Sequence, residues 1–492
     1  MNKAWGLEIW SQAYQSFDQV PMPVAAVGSI EVPERHNPSL VMAVSRYNNE
    51  AWTSFIKLQC DIIRQHSDKP ITTNMTAGLG MNWFQHNRLL DRVGFSMYRD
   101  VNHYHWNWQN FDRMRAEKPA PYWLLETAPN WSGGGKQWNI HHDEHGILAM
   151  SWMSHLMGGS MILYWQWREH WAGQEMQHGT LVTATGKWRP NKNALAQLCA
   201  DCAKHGRWLL DHPPQQAQVG IVLSNEAAWA FSIDPIDDDM RYEVRWREDH
   251  YLRLARNHVW RDVIGEDADF SRYRVLVLPL MPIVKEATKQ RLRDWVRQGG
   301  HLILGPLTGY RTEEFTAWRD REFGGLEELI GAESSLRFTV HWMEDRVTVE
   351  LADGETTRTR NWCEGFRCTT GEALAHYRGG YGNDHVAIVR NKFGKGTVTT
   401  LGCAVNESVH LKLVKQILTA AGVEPVATGS GNVIVVPRAD ATGQVAGYGI
   451  VNITESEQTI TLKKSGKDLL SGRTVGAQTT LEPLQVMLVA IR

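Results

Sequence analysis

Two apolar runs that each empty into a carboxylate constrain this chain more than anything else in it. The first, Tyr122-Trp-Leu-Leu-Glu126-Thr-Ala-Pro129-Asn-Trp131, sets an acid at the end of a strand-like run and follows it with loop residues and tryptophan. The second, Gly158-Gly-Ser-Met-Ile-Leu-Tyr-Trp165-Gln-Trp-Arg168, leads into Glu169-His170-Trp171-Ala-Gly-Gln-Glu175-Met-Gln-His178. Short apolar runs bounded by turns read as buried parallel strands. In a (β/α)8 barrel such strand ends carry the catalytic groups, and a carboxylate beside an indole suits a site that cleaves sugars. Taken alone, Glu126 is equally well explained as an ion-pair partner at a strand end. Glu175 and His178 likewise have the i, i+3 spacing of an ordinary helix-surface contact.

Composition narrows the classes. At roughly 150 residues per domain, 492 residues suggest about three. With 52 basic against 54 acidic residues the chain has no electrostatic footprint for nucleic acid or an anionic membrane. Tryptophan is abundant, and 14 of the 22 lie within residues 1–188. That enrichment suits indole platforms for sugar rings, although most of these side chains are expected to fill core and helix seams. Six scattered cysteines make no disulfide framework, and no signal peptide or long apolar span is legible, so a cytoplasmic protein is expected. Cys199-Ala-Asp-Cys202 falls in a helical run over 191–212 without a second pair, which favours helical spacing over zinc. His141, His142, Asp143 and His145 follow a glycine-rich loop and read as a solvated or substrate-lining segment rather than a metal site.

A second unit is expected from Pro213, where Pro-Pro-Gln-Gln breaks the helix and Gln218-Val-Gly-Ile-Val-Leu-Ser224 starts a buried strand. A helix over 251–259, the strand Tyr273-Arg-Val-Leu-Val-Leu-Pro279, a helix over 287–298 and the strand Gly300-His-Leu-Ile-Leu-Gly305 follow. This order predicts an open α/β sheet, flavodoxin-like and similar to class I amidotransferase domains. It has no glycine-rich phosphate loop at a strand–helix junction and no cysteine on a sharp turn, so neither a nucleotide nor amidotransfer is assigned. From residue 425 short alternating strands predict a small β-sandwich.

These residues resemble the glycoside hydrolase family 42 β-galactosidases. Asn2-Lys-Ala-Trp5-Gly-Leu-Glu-Ile-Trp10 is similar to the family's segment after its fourth barrel strand, Asn37-Pro38 with Arg46-Tyr47 and Phe55 to the next helix, and Pro70-Ile-Thr-Thr-Asn74 to the fifth strand. The resemblance implies the C-terminal half of a TIM barrel, strands five to eight, over 1–212. It implies an α/β trimerisation domain over 213–424 and a β-sandwich over 425–492. It makes Glu126 the nucleophile of a retaining double displacement on terminal β-D-galactosyl residues, with Glu175 and His178 gripping the sugar. Tyr98, Trp131 or Trp138, Trp5 and Trp10 are the further substrate-binding candidates, and Arg168 is a candidate to pair with Glu175. No cofactor or metal is implied.

The family's acid/base, the Glu of an Asn-Glu pair at the end of the fourth strand, has no counterpart here. Asn49-Glu50 lies within a helix pattern and reads as a helix-start carboxylate. The expected partners are a β-galactoside and two further copies in a homotrimer. The alternatives are a catalytically silent carbohydrate-binding or oligomerisation scaffold, or one half of a two-chain glycosidase.

Overall fold

The computed structural model describes residues 1–23, 36–76, 78–132, 140–176, 178–237, 239–340 and 346–491. Its first unit is a sheet of four parallel strands with helices on one face. Helix α1 (Pro38–Arg64) opens with Pro38 at its first position and with Asn37 accepting from the Ser39 and Leu40 amides, so the orphan N–H groups of its first turn are met. Then come β1 (Met75–Thr76), α2 (Trp83–Leu89), β2 (Gly94–Ser96), α3 (Tyr104–Glu117) and β3 (Tyr122–Thr127). A short ladder of β4 (Trp131–Ser132) with β5 (Ile140–His141), α4 (Glu144–Leu156), β6 (Gly159–Tyr164) and α5 (Lys192–Asp211) complete the unit. The strands pair in the order β1-β2-β3-β6, all parallel, as expected for successive strands of a barrel.

One face of this sheet is packed. Phe95 of β2 and Tyr122 of β3 meet Phe111 of α3, which stacks on Tyr122 at 5.8 Å. Such ring pairs add to the area they bury. The other face is open: Leu163 of β6 is 47% exposed, and α1 presents Tyr47, Phe55, Leu58 and Ile62 along one exposed stripe.

The second unit carries β7 (Val219–Val222), α6 (Asn225–Ile233), α7 (Tyr242–Trp246), α8 (Leu252–Arg256), β8 (Arg261–Ile264), β9 (Val275–Leu278), α9 (Glu286–Gln298) and β10 (His301–Leu304). Its parallel strands lie in the order β8-β7-β9-β10, followed by the strand Gly396–Leu401. This is the flavodoxin-like order, and the direction of winding reverses between β7 and β9. Antiparallel strands between Ala332 and Phe393 extend the same sheet. In the last unit a three-stranded and a five-stranded sheet share one core, with Ile460 and Leu481 from the first meeting Val435, Ile450 and Val489 from the second.

Buried charge ties these units together. Asp112 of α3, fully buried, takes the Arg115 guanidinium at 2.7 Å, that of Arg261 from β8 at 2.7 Å and the Tyr251 hydroxyl at 2.7 Å. Arg115 reaches on to Asp262 at 2.9 Å. Arg438 of the strand Val433–Ala439 donates to the carbonyls of Leu156, Leu209 and His212. Its carriers are 226 to 282 residues away in sequence.

Three expectations are corrected. The segment 70–74 is not laddered: Ile71 and Thr72 bond instead to the turn before β2, through the Asp91 and Arg92 amides and the Arg92 carbonyl, and pairing starts at Met75. The helix expected over 251–259 begins earlier. α7 runs into a π turn, Arg247–Tyr251, and then α8, with buried Tyr242, Trp246 and Tyr251 hidden in a charged run. Glu50 is exposed in the interior of α1, far from the first turn, so dipole stabilisation does not explain it.

Candidate active site

Glu126 stands at the C-terminal end of β3, one of the two interior strands, and the backbones of its neighbours are locked beside it. The Met97 amide donates to the Glu126 carbonyl at 2.9 Å, and the Trp165 amide to the Thr127 carbonyl at 2.8 Å. Tyr98 and Trp165 therefore flank the carboxylate from β2 and β6. The Tyr98 hydroxyl donates to Glu126 Oε1 at 2.7 Å, and the Asn74 amide to Oε2 at 3.0 Å. Ser96 in turn donates to Asn74 Oδ1 at 2.7 Å, which orients the amide so that its N–H faces the carboxylate. Burial, with the Glu126 and Glu175 charges behind it, pushes the Tyr98 phenol far above its ordinary range, so it is a neutral donor at any working pH.

The β6 side carries the second acid. Trp165 Nε1 donates to Glu175 Oε2 at 3.2 Å, and His170 Nδ1 lies 4.0 Å from the same oxygen. His178 is held by its amide on the Glu175 carbonyl and by a 3.3 Å contact of Nδ1 with Ser132 Oγ. Gly179 then passes so close to Trp131 that a Cβ would lie 2.5 Å from its amide nitrogen. The Gly179 amide donates to the Trp131 carbonyl at 2.8 Å, so this glycine fixes where His178 stands. Two buried amides hold the loop beneath: Asn130 donates to Thr180, and Asn191 to Pro129 and His142.

These groups open onto a cleft of about 680 Å³. Tyr98, Glu126, Ser132, Trp165, Glu175 and His178 are among the residues that line it. Among the described residues the carboxyl groups that line it are Glu126, Glu175 and Glu243.

Other candidates sit elsewhere. Trp131 packs its ring under the Arg189 guanidinium at 4.4 Å and does not line the cleft. Trp5 and Trp10, in the N-terminal segment, are not among the residues that line it, and Trp10 is 40% exposed. Trp138 lies outside the described residues. Arg168 donates to the Ala184 carbonyl at 2.8 Å rather than pairing with Glu175, and the nearby ion pair is Glu169 with Arg189 at 3.0 Å. His142 is buried, which lowers its imidazole to about 4, while Asp143 caps α4.

Sequence reasoning passed over Asn74, Ser132 and Trp165 as site residues. Trp165 had a signal, standing at the end of an apolar run, whereas Asn74 closes a segment with a single aliphatic residue, Ile71. Ser132 had none.

Residues 1–205 match the family described as Beta-galactosidase, and residues 217–424 the Beta-galactosidase trimerisation domain. Over 490 residues the chain is 29% identical to Beta-galactosidase YesZ of Bacillus licheniformis, covering 98% of this chain and 72% of the relative. It is 28% identical to Beta-galactosidase BgaH of Haloferax lucentense, again covering 98% and 72%. The fold is similar to the crystal structure of a β-galactosidase from Bacillus circulans sp. alkalophilus, with TM-score 0.92, 21% identity, and coverage of 100% of this chain and 74% of that one. The β-galactosidase of Halorubrum lacusprofundi gives TM-score 0.84 at 23% identity, covering 99% and 73%.

Proposed function

Because the chain belongs to the glycoside hydrolase family 42 β-galactosidases, we propose that its cleft removes terminal β-D-galactosyl residues by a retaining double displacement, with Glu126 as the nucleophile. The observation that carries this reading is the pair of donors on Glu126. Tyr98 and Asn74 each hold one carboxylate oxygen at a strand end, in a cleft that Trp165, Glu175 and His178 also line.

In this mechanism the galactosyl ring packs against the Trp165 indole, with its hydroxyls on Glu175 and His178. One Glu126 oxygen attacks the anomeric carbon while the glycosidic C–O bond breaks. The covalent galactosyl ester is then cleaved by water at the same carbon, restoring the β configuration. Retaining enzymes need a second carboxyl about 5 to 5.5 Å from the first to protonate the leaving oxygen. Glu175 is engaged by Trp165, and we assign no acid/base among the described residues. No step calls for a metal or cofactor.

The test is hydrolysis of an activated aryl β-galactoside with and without azide, the product anomer being read by NMR. Turnover to β-galactose supports Glu126 with a working acid/base or a leaving group that needs none. Turnover only with azide, giving the β-galactosyl azide, supports the nucleophile without its partner. No reaction in either arm sinks the hydrolase reading and favours a silent scaffold.

We further propose that residues 1–212, 213–424 and 425–492 act as separate domains, that the second makes the contacts of a homotrimer, and that the protein works in the cytoplasm. Light scattering at a mass of one chain would sink the trimer. Among the described residues no helix is long and apolar enough to cross a membrane.

A further inference from the structure

Two cysteines of the second unit that take no part in the cleft stand opposite each other. Cys363 lies in the antiparallel strand Asn361–Cys368, and Cys403 just after the strand Gly396–Leu401. The two residues pair as an antiparallel bridge, and one residue to the side the Glu364 amide donates to the Gly402 carbonyl at 2.7 Å. A bond in that position makes Cys363 and Cys403 a non-hydrogen-bonded pair, in which opposite side chains share a face and the Cα atoms lie about 4.5 Å apart. A disulfide spans Cα separations of about 4.4 to 6.8 Å. Gly402 makes the close approach possible, because a Cβ there would run into the Glu364 carbonyl oxygen.

We propose that Cys363 and Cys403 form a reversible dithiol site, joined by a disulfide when a small hydroperoxide oxidises the chain. With hydrogen peroxide the Cys403 sulfur attacks one oxygen and the O–O bond breaks. Cys403 becomes a sulfenic acid, and the departing hydroxide takes the thiol proton and leaves as water. The Cys363 sulfur then attacks the Cys403 sulfur, the S–S bond forms, and the sulfenic hydroxyl leaves with the Cys363 proton as a second water. Two thiols are oxidised by two electrons and one peroxide is reduced to two waters. A dithiol reductant reverses the bond by exchange.

The surroundings single out Cys403 as the attacking sulfur. A hydrogen bond with Cys363 draws the Cys403 thiol below its ordinary value against the opposing effect of burial, and the same bond with burial pushes Cys363 above its own. The thiolate is the reactive form. Thr359 Oγ1 lies 3.6 Å from Cys363 Sγ, so the second sulfur is held as well. Both cysteines are buried, yet Cys403 lines a cavity of about 20 Å³ that is also lined by Arg360, whose side chain is 39% exposed. That is room for a molecule near the size of water, which favours a small hydroperoxide over a bulky disulfide as the oxidant. The bond ties the strand Asn361–Cys368 to the segment that enters the helix Glu407–Ala420, and closing that loop stabilises the oxidised chain.

The test treats the folded full chain with dilute hydrogen peroxide, blocks the remaining thiols in denaturant and maps the peptides by mass spectrometry, with and without dithiothreitol. Exposed Cys199 reports that the oxidant reached the protein. The expected result is a cross-link between the Cys363 and Cys403 peptides that disappears on reduction, and a melting temperature several degrees higher in the oxidised chain. Cys363→Ser should strand Cys403 as a sulfenic acid that a 1,3-dione traps, thermal melts establishing that this variant is folded.

Recovery of Cys363 and Cys403 as free thiols while Cys199 is oxidised overturns the proposal. A cross-link that joins Cys199 to Cys202 instead, or that forms between Cys363 and Cys403 only once the chain has melted, overturns it equally. A folded Cys363→Ser chain with no dione adduct on Cys403 does the same.

Discussion

The Tyr98 hydroxyl reaches Glu126 Oε1 at 2.7 Å from the neighbouring strand, and the Met97 amide bonds the Glu126 carbonyl at 2.9 Å. The phenol is therefore aimed by backbone pairing, and it holds the carboxylate in one rotamer while the second oxygen is held by Asn74. Both bonds are to a group that must arrive at the sugar already oriented.

Removing that phenol tests the orientation. A hydrogen bond to a charged acceptor contributes about 1.5 to 3 kcal/mol, so Tyr98→Phe is expected to lower kcat about tenfold to a hundredfold on an aryl β-galactoside. KM should change little. A variant with parental kcat would show that Tyr98 only fills space.

Glu126→Gln keeps the side chain's shape but gives up the nucleophile and can accept from only one of the two donors, Tyr98 and Asn74. Steady-state assays should show a loss on the order of a thousandfold or more, with the melting temperature and galactose affinity close to those of the parent. Persistent turnover would remove Glu126 from the mechanism.

Trp165→Phe deletes the Nε1 donor to Glu175 while keeping an aromatic face. The loss of one hydrogen bond to a charged acceptor, partly exposed here, should weaken galactose binding by roughly 1 kcal/mol, about fivefold in Kd by calorimetry. An unchanged Kd would detach the indole N–H from sugar binding.

Stability should depend on pH through Glu266. Burial, with the Glu226 charge next, raises its carboxyl from 4.5 to about 7, and Ser224 donates to it. The folded chain holds this proton more tightly than the unfolded one. The stability it contributes is thus full below pH 4.5, is lost as pH rises from 4.5 to about 7, and stays lost above. Glu266→Gln should flatten this slope and stabilise the chain at pH 8 by up to about 3 kcal/mol. Melting curves at pH 5 and 8 would check it. Parallel curves for parent and variant would contradict it.

The Asp112 cluster makes the opposite prediction. Arg261→Met leaves Asp112 with one fewer buried cation, and should destabilise by about 3 to 5 kcal/mol in urea. A loss below about 1 kcal/mol would mean that Arg115 and Tyr251 suffice.

Strand ends were the legible part of the site. Glu126, Glu175 and His178 follow apolar runs whose period and boundaries announce them, and the flavodoxin-like order follows from alternating strand and helix patterns. The tryptophans were less legible, because an indole serves equally as platform and as filler: Trp131 packs under Arg189, whereas Trp165 lines the cleft. Glu243 and Trp246 were hidden for a different reason. Nothing local in the charged run around them signals that a second unit folds back onto the first. The π turn at Arg247–Tyr251 breaks the period that would have revealed their helix.

Arg438 has a bearing on synthesis. Its guanidinium meets the carbonyls of Leu156, Leu209 and His212, all made long before it. A ribosome releases the chain from its N-terminus, and units fold as they emerge. Those three carbonyls therefore wait for their donor until the final strands are out, so the polypeptide carries its own completion signal, and a product that stalls before Arg438 is left with an unsealed seam for proteases to find.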